Sequence, residues 1–271
     1  MEVLIVGAGA MGEWFARLFK RWGWEVWVTD ADERKARKVS ERLGVRFGRE
    51  VLTRADVVLV AVPISSTPSV LEEVGARMKR GSLLMEVASV KEQTVAGMQR
   101  LKSAQLELVA LHPLFGPGAS ELRGERFAFI PVRAGRIFEQ VRERLEAEGA
   151  RLFKTDWREH DQKMARVQAL SHLILLLYLK LCERGELQTR LSRSLAEVAK
   201  ALLAGNPSVY YDIQTLNRYS ATVRGELIET LKQLDGLLRE GKKEEFEEIF
   251  RRLAREFGKE VEEAYRRLYV S

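Results

Sequence analysis

Among 271 residues there are three histidines, and one of them, His112, sits where its chemistry would be controlled. The apolar run Leu106 to Leu111 reads as a strand heading into a core. It ends at His112, where Pro113, Gly116, Pro117 and Gly118 forbid both helix and strand. An imidazole held at the end of a buried strand can take a proton from a group about 3 Å away. The same place would also suit a strand-end histidine hydrogen-bonded to backbone. A second polar set, Ser89-Val-Lys-Glu92, follows the run Gly81 to Val87. Ser89 and Glu92 have the spacing of a capping box, which marks the start of a helix.

The third chemical signal lies at the start of the chain. Glu2 to Val6 is a short apolar strand, Gly7-Ala-Gly-Ala-Met-Gly12 follows, and Glu13 to Trp22 carries Trp14, Phe15, Leu18 and Phe19 at helical spacing. Val26 to Asp30 is a second strand, ending in an acid. A glycine loop between strand and helix, with an acid about 20 residues on, is the pattern of a dinucleotide fold. Gly7 allows the tight turn, Gly9 lets backbone approach a pyrophosphate, and Gly12 lets helix and strand pack. Ala10 and Met11 open the helix whose free N–H groups would face the phosphates. Asp30 would bond the ribose hydroxyls and repel a 2′-phosphate, which favours NAD over NADP, while Arg34 nearby keeps NADP open. Asp30 could instead cap the helix at Glu33.

The elements that position these residues alternate. Asp32 to Leu43 reads as a helix, and Asp56 to Val62 as a central parallel strand, apolar on both faces. Val62 and Pro63 then begin a loop at the strand's C-terminal end, the edge where ligands lie in such sheets, and join the cofactor set. A helix from Thr67 to about Lys79, the strand Gly81 to Val87, the His112 strand, a strand Phe127 to Val132, a helix Arg136 to Glu148 and a strand Arg151 to Lys154 complete this part. Beyond it β signals stop. Asp156-Trp-Arg-Glu159 repeats the capping-box pattern and opens a long helix to about Leu181. Glu186 to Ser271 reads as helical, with breaks at Gly205-Asn-Pro207 and Arg239-Glu-Gly-Lys242. The expected architecture is therefore α/β: a Rossmann-type, mostly parallel sheet over residues 1–155, then an all-α domain over 156–271. The long helix is apolar on nearly all sides around Leu170 to Leu179, so it is buried in a core or against a second copy. We expect a homodimer through the helical part.

Composition narrows the classes. Hydrophobic residues make up 46% of the chain, enough for a substantial core. The net charge of +6 comes from basic residues interleaved with acids along the C-terminal helices, with no basic run carrying aromatics, so nucleic acid is not expected. Cys182 is the single cysteine, which excludes an internal disulfide and thiolate metal sites. No metal-ligand spacing is present. The longest late apolar run, Leu173 to Leu179, is far short of a membrane span, and Met1 leads straight into a strand with no targeting segment. A cytoplasmic protein is expected.

Together the motifs resemble the prephenate dehydrogenase family of tyrosine biosynthesis, over nearly the whole chain. The resemblance rests on the glycine loop, on Ala88-Ser-Val-Lys91, and on His112-Pro-Leu-Phe-Gly-Pro117. It continues through Glu159-His-Asp to His172, Asn206-Pro-Ser-Val-Tyr-Tyr-Asp-Ile213 and Leu227 to Gln233. It implies NAD-dependent oxidative decarboxylation of prephenate to 4-hydroxyphenylpyruvate, without metal. His112 would accept the proton of the ring hydroxyl, and Ser89 would orient His112 and lie near the nicotinamide. Lys91, Gln168, His172 and Tyr210 would bind substrate, with His172 and Gln168 on one helical face. His172 and Tyr210 would be equally at home in a core. His160 matches a motif histidine, with a structural or capping role favoured by its place in the first helical turn. Some relatives carry a fused chorismate mutase, and none is expected ahead of a strand that begins at residue 2. One departure matters: where relatives place a carboxylate-clasping arginine, this chain has Ala201. A lost bidentate clamp weakens binding, and Lys200, Arg193, Arg218 or a partner's arginine would have to compensate. Arogenate or dual specificity is the alternative substrate reading. A hydroxyacid dehydrogenase or imine reductase is disfavoured by the His-Pro-Leu-Phe-Gly-Pro loop. A non-catalytic NAD-binding sensor of aromatic metabolites is the reading that Ala201 supports.

Overall fold

A computed structural model describes residues 1–101, 105–183 and 185–269. Residues 270 and 271, the end of the expected helical region, lie outside the described residues. The chain divides into two compact units, Met1–Lys163 and Met164–Ser271.

The first unit is built on one eight-stranded sheet in the order β3-β2-β1-β4-β5-β6-β7-β8. Its strands are β1 (Glu2–Val6), β2 (Glu25–Thr29), β3 (Arg46–Phe47), β4 (Val57–Val60), β5 (Leu83–Glu86), β6 (Glu107–Pro113), β7 (Arg126–Arg133) and β8 (Arg151–Lys154). β1 to β6 run parallel, β7 pairs antiparallel with β6, and β8 is parallel to β7. The helices are α1 (Ala10–Arg21), α2 (Glu33–Leu43), α3 (Thr67–Gly75), α4 (Glu92–Arg100), α5 (Arg136–Ala147) and α6 (Trp157–Met164). Strand alternation sends Val3, Ile5, Val57 and Leu59 to one face, under Phe15 and Phe19 of α1 and Phe138 of α5. Leu4, Val58, Val60 and Leu84 go to the other, under Leu71 of α3 and Met98 of α4. Two apolar cores thus sandwich the sheet, and the central strands are buried on both sides, as β4 predicts from its Val-Val-Leu-Val run. The mostly parallel Rossmann-type sheet followed by helices is the expected fold class.

Two details differ from the sequence reading. β3 is an additional strand of two residues, too short to show alternation. β6 does not stop at His112 but continues through Pro113, pairing His112 with Ala128 and Pro113 with Phe127. The Leu114 N–H donates to the Arg126 carbonyl, so the ring nitrogen of Pro113 faces the opposite side. On that side β5 has already ended, its last residue Glu86 level with Ala110. Proline is tolerated because no ladder bond is asked of it there.

The second unit holds a five-residue π-helical segment (Ala165–Ala169), then α7 (Leu170–Leu181), α8 (Arg190–Leu202), α9 (Pro207–Leu216), α10 (Ser220–Arg239), α11 (Lys243–Phe257) and α12 (Lys259–Tyr269). Asn206 caps α9 through the Ser208 N–H, with Pro207 in the first turn, which explains the expected break. α7 has no buried residue within the chain, and Ile174, Leu176, Leu177 and Leu181 are exposed. The unbroken apolar run understates this helix. Trp157–Leu181 is continuous over 25 residues, and by length and composition alone it is apolar enough to cross a membrane, which corrects the expectation of no such helix. Its N-terminal end, however, carries His160 and Asp161 buried and hydrogen-bonded within the first unit. Basic residues of α10 to α12 pair with acids one turn away, Arg239 with Asp235, Arg251 with Glu247 and Arg266 with Glu262, as a solvated face requires.

Candidate active site

The glycine loop follows β1 at the point where strand order reverses, with β2 on one side and β4 on the other. Gly7 has φ +112°, and a Cβ there would collide with the Ala61 carbonyl. A Cβ on Gly12 would collide with the Gly7 carbonyl. Both positions therefore exclude every other residue. Around Gly9 nothing lies within 4 Å of a built Cβ, and no side chain caps the α1 N-terminus. Ala10 is exposed and Met11 half-buried at that first turn. Asp30, at the end of β2, accepts the Ala8 N–H at 2.7 Å and the Asp32 N–H at 2.9 Å, so its carboxylate is fixed beside the loop. It is not the cap of α2; Asp32 is, through the Arg34 N–H. Val62 and Pro63 leave the end of β4 in the adjacent loop. Open backbone, uncapped amides and a fixed acid are what a dinucleotide's phosphates and ribose need.

His112 stands on the same C-terminal edge, at the end of β6, and is only 2% exposed. Three strand spacings, roughly 14 Å, separate β6 from β1, a distance an extended dinucleotide spans. The loop beyond His112 is tied to the nucleotide helix. The Trp14 indole N–H donates to the Ala119 carbonyl at 2.8 Å, and Phe115 packs on Trp14 and Phe127. The His112 Nδ1 meets His160 Nε2 at 2.9 Å, and His160 Nδ1 meets Asp161 Oδ1 at 2.7 Å. Asp161 in turn accepts the backbone N–H groups of Lys91 and Glu92 at 3.0 Å each. Burial, together with His160 and the Lys91 charge, holds His112 well below the usual imidazole value, so it is neutral. Burial also lowers His160, with Asp161 opposing.

This geometry revises three expectations. The Ser89 capping box does not form: α4 begins at Glu92 with Lys91 at the cap position and no side-chain cap of its own. Asp161, distant in sequence, binds the amides that Ser89 was expected to satisfy. Among the described residues no hydrogen bond joins Ser89 to His112, whose ring partner is His160. Ser89 lies half-buried at the end of β5. Lys91 does not reach outward to a substrate. It is fully buried, donating from Nζ to Glu86 Oε1 at 2.7 Å and to the Leu111 carbonyl at 2.8 Å. Glu86 also accepts from the Ala88 N–H and the Thr94 hydroxyl. Burial pushes Glu86 up and Lys91 down, and the ion pair between them opposes both shifts. The pair is a brace beneath the residues leading to His112.

His160 is the residue that sequence reasoning undervalued. It is 2% exposed and sits between His112 and an acid. The only hint is the adjacent His160-Asp161 pair in a helix whose other cap is accounted for. Asp156 accepts the Arg158 and Glu159 N–H groups, while Glu159 turns to Thr155 and Lys163.

In the helical unit, His172 packs edge-on against Tyr210, ring centroids 4.8 Å apart. Among the described residues, His172 Nδ1 and Gln168 Oε1 are buried and have no hydrogen-bond partner. Burial lowers His172 and raises the Tyr210 phenol. The Tyr210 hydroxyl lies against Gly205, where a Cβ would strike it. Ala201 is exposed on α8, Arg193 is exposed, and Lys200 is ion-paired with Glu197. Arg218 also has a partner.

The nucleotide-binding domain of prephenate dehydrogenase matches residues 15–154, and the dimerization domain of prephenate dehydrogenase matches residues 156–252. A 4-amino-4-deoxyprephenate dehydrogenase from Streptomyces pristinaespiralis is 31% identical over 99% of this chain and 96% of its own. A probable arogenate/prephenate dehydrogenase from Methanocaldococcus jannaschii is 28% identical over 95% of this chain, which spans 61% of that relative's length. A crystal structure of prephenate dehydrogenase from A. aeolicus, in complex with hydroxyphenyl propionate and NAD+, superposes with TM-score 0.76 at 18% identity. That superposition covers 94% of this chain and 96% of the other.

Proposed function

The chain belongs to the prephenate dehydrogenase family, and on that premise we propose that it catalyses the NAD-dependent oxidative decarboxylation of prephenate to 4-hydroxyphenylpyruvate. The observation that carries this reading is a buried, neutral imidazole at the end of β6, on the same sheet edge as the glycine turn. NAD bound at that turn would supply the acceptor for the hydride leaving C4 of the ring. Ala10, Met11 and Gly9 would hold its phosphates, Asp30 its ribose, and Val62 and Pro63 would border it. The fixed negative charge of Asp30 disfavours the extra phosphate of NADP.

His112 accepts the C4 hydroxyl proton as carbonyl character develops. The C1–carboxylate bond breaks, CO2 leaves, and its electron pair completes the aromatic ring. The proton then returns from His112 to the phenolate oxygen. Ser89 keeps a place near the nicotinamide, at the end of β5, without orienting His112. His172, Gln168 and Tyr210 recognise the substrate. Two of these residues, His172 and Gln168, present buried polar atoms that have no partner among the described residues, which a bound ligand's polar groups would satisfy.

Arogenate is the nearest alternative substrate, because Ala201 offers no charge and Lys200 is already paired with Glu197. The 4-amino analogue is a second reading, favoured by the Streptomyces relative that matches along nearly all of both chains. The functional boundary falls at residue 155, and the exposed apolar side of α7 is the homodimer contact. The protein acts in the cytoplasm. Steady-state kinetics with prephenate, arogenate and 4-amino-4-deoxyprephenate, followed by NADH absorbance, test this reading. The highest kcat/KM with prephenate supports it; turnover confined to either other substrate replaces it.

A further inference from the structure

Between the His112 ring and the start of α4 runs a chain of hydrogen bonds whose direction can be worked out from its far end. Asp161 Oδ2 accepts the Glu92 N–H at 3.0 Å, and Oδ1 accepts the Lys91 N–H at 3.0 Å. A carboxylate held this way, at the positive end of a helix, is an acceptor on both oxygens. The proton in its 2.7 Å contact with His160 therefore belongs to His160 Nδ1. A neutral imidazole carries one N–H, so His160 Nε2 has a lone pair and must accept. The proton in the 2.9 Å contact between the two rings then belongs to His112 Nδ1. That leaves the lone pair of His112 on Nε2, which makes no hydrogen bond to any described residue.

We propose that His160 and Asp161 are positioning residues that fix His112 in the Nδ1–H tautomer, so that Nε2 is the basic nitrogen offered to the substrate. The catalytic consequence rests on the function proposed above; the tautomer itself does not. Neither residue touches substrate. They act through His112, and the anchor of the chain is the backbone of α4, which places the proton inventory of the base under the control of the fold. Asp161→Asn reverses the chain. The Glu92 N–H holds the amide oxygen, the amide NH2 turns to His160 Nδ1, and His160 moves its proton to Nε2. His112 must then accept at Nδ1 and carry its proton on Nε2, where the lone pair is needed.

With three histidines in the chain, selective 15N labelling and long-range 1H–15N correlation read each ring's tautomer in the intact protein, with single variants for assignment. The wild type should show His112 and His160 both protonated on Nδ1. Asp161→Asn should move the His112 proton to Nε2 and lower kcat by about 10²–10⁴-fold, the range of a lost general base, with NAD affinity and KM little changed. His160→Gln, whose carbonyl can still accept from Nδ1–H, should retain more turnover than His160→Phe. A wild-type His112 protonated on Nε2 overturns the proposal, even if the enzyme is active. So does an Asp161→Asn protein whose His112 signals stay in place, or equal losses in the two His160 variants. If neither prephenate nor arogenate is turned over, the proposed function fails while the wild-type spectrum still decides the tautomer.

Discussion

Replacing Lys91 with Met separates a structural brace from a substrate ligand. Lys91 and Glu86 are both fully buried, and Nζ makes two bonds, to Glu86 and to the Leu111 carbonyl. Methionine fills the stem's volume but leaves a buried carboxylate without its counter-charge and a buried carbonyl without a donor. Breaking one side of a buried pair costs about 3–5 kcal/mol. Glu86 keeps the Ala88 N–H and the Thr94 hydroxyl, so the loss should lie within that range rather than above it. The deficit should depend on pH. Burial has already raised Glu86 above the ordinary glutamate value of 4.5, and losing the Lys91 charge raises it further. Between that raised value and 4.5 the native state holds a proton the unfolded chain releases, so acidification narrows the deficit. Urea unfolding of both proteins at pH 8 and pH 5.5, with matched slopes, measures this. Glu86→Leu added to Lys91→Met should recover most of the lost stability. A single variant within about 1 kcal/mol of wild type, well below the buried-pair range, would mean that the Lys91–Glu86 pair is no brace. If KM rose at the same time, Lys91 would return to the substrate.

The glycine loop gives a contrasting pair. Gly12→Ala meets the Gly7 carbonyl and should lose stability and nucleotide binding together, whereas Gly9→Ala meets nothing and should melt like wild type while NAD affinity falls. Thermal melts and cofactor titrations separate the two. With His112 held neutral well below its ordinary value, kcat/KM should stay level as pH falls through about 6.5 and decline only further into acid. Over the same range stability should drop, because below that value the unfolded chain binds a proton that native His112 refuses. Leu176→Asp, on the exposed side of α7, should shift the protein from dimer to monomer by light scattering, with the sheet unit still folded.

The sheet was legible in the sequence because its signals are local. Apolar runs such as Val57 to Val60, glycines that no other residue can replace, and an acid closing β2 each declare themselves within a few residues. Asn206 and Pro207 announced the break before α9 for the same reason. What escaped depends on contacts between distant positions. Ser89 and Glu92 have capping-box spacing, yet Asp161 reaches those amides first, and only the fold brings α6 to α4. Lys91 looks like a surface ligand until Glu86 is seen beneath it. Pro113 looks like a strand breaker because its sequence does not reveal that β5 has ended beside it. His160 looked like a first-turn residue because burial is a property of the assembled unit.

Whether His112 is the general base is decided by comparing wild type with His112→Asn for NADH production from prephenate, alongside cofactor binding by fluorescence titration. Turnover should fall by about 10²-fold or more, as for loss of a general base, while the dissociation constant for NAD stays unchanged. Retained turnover in the variant, or a parallel loss of cofactor binding, would contradict a general-base role for His112.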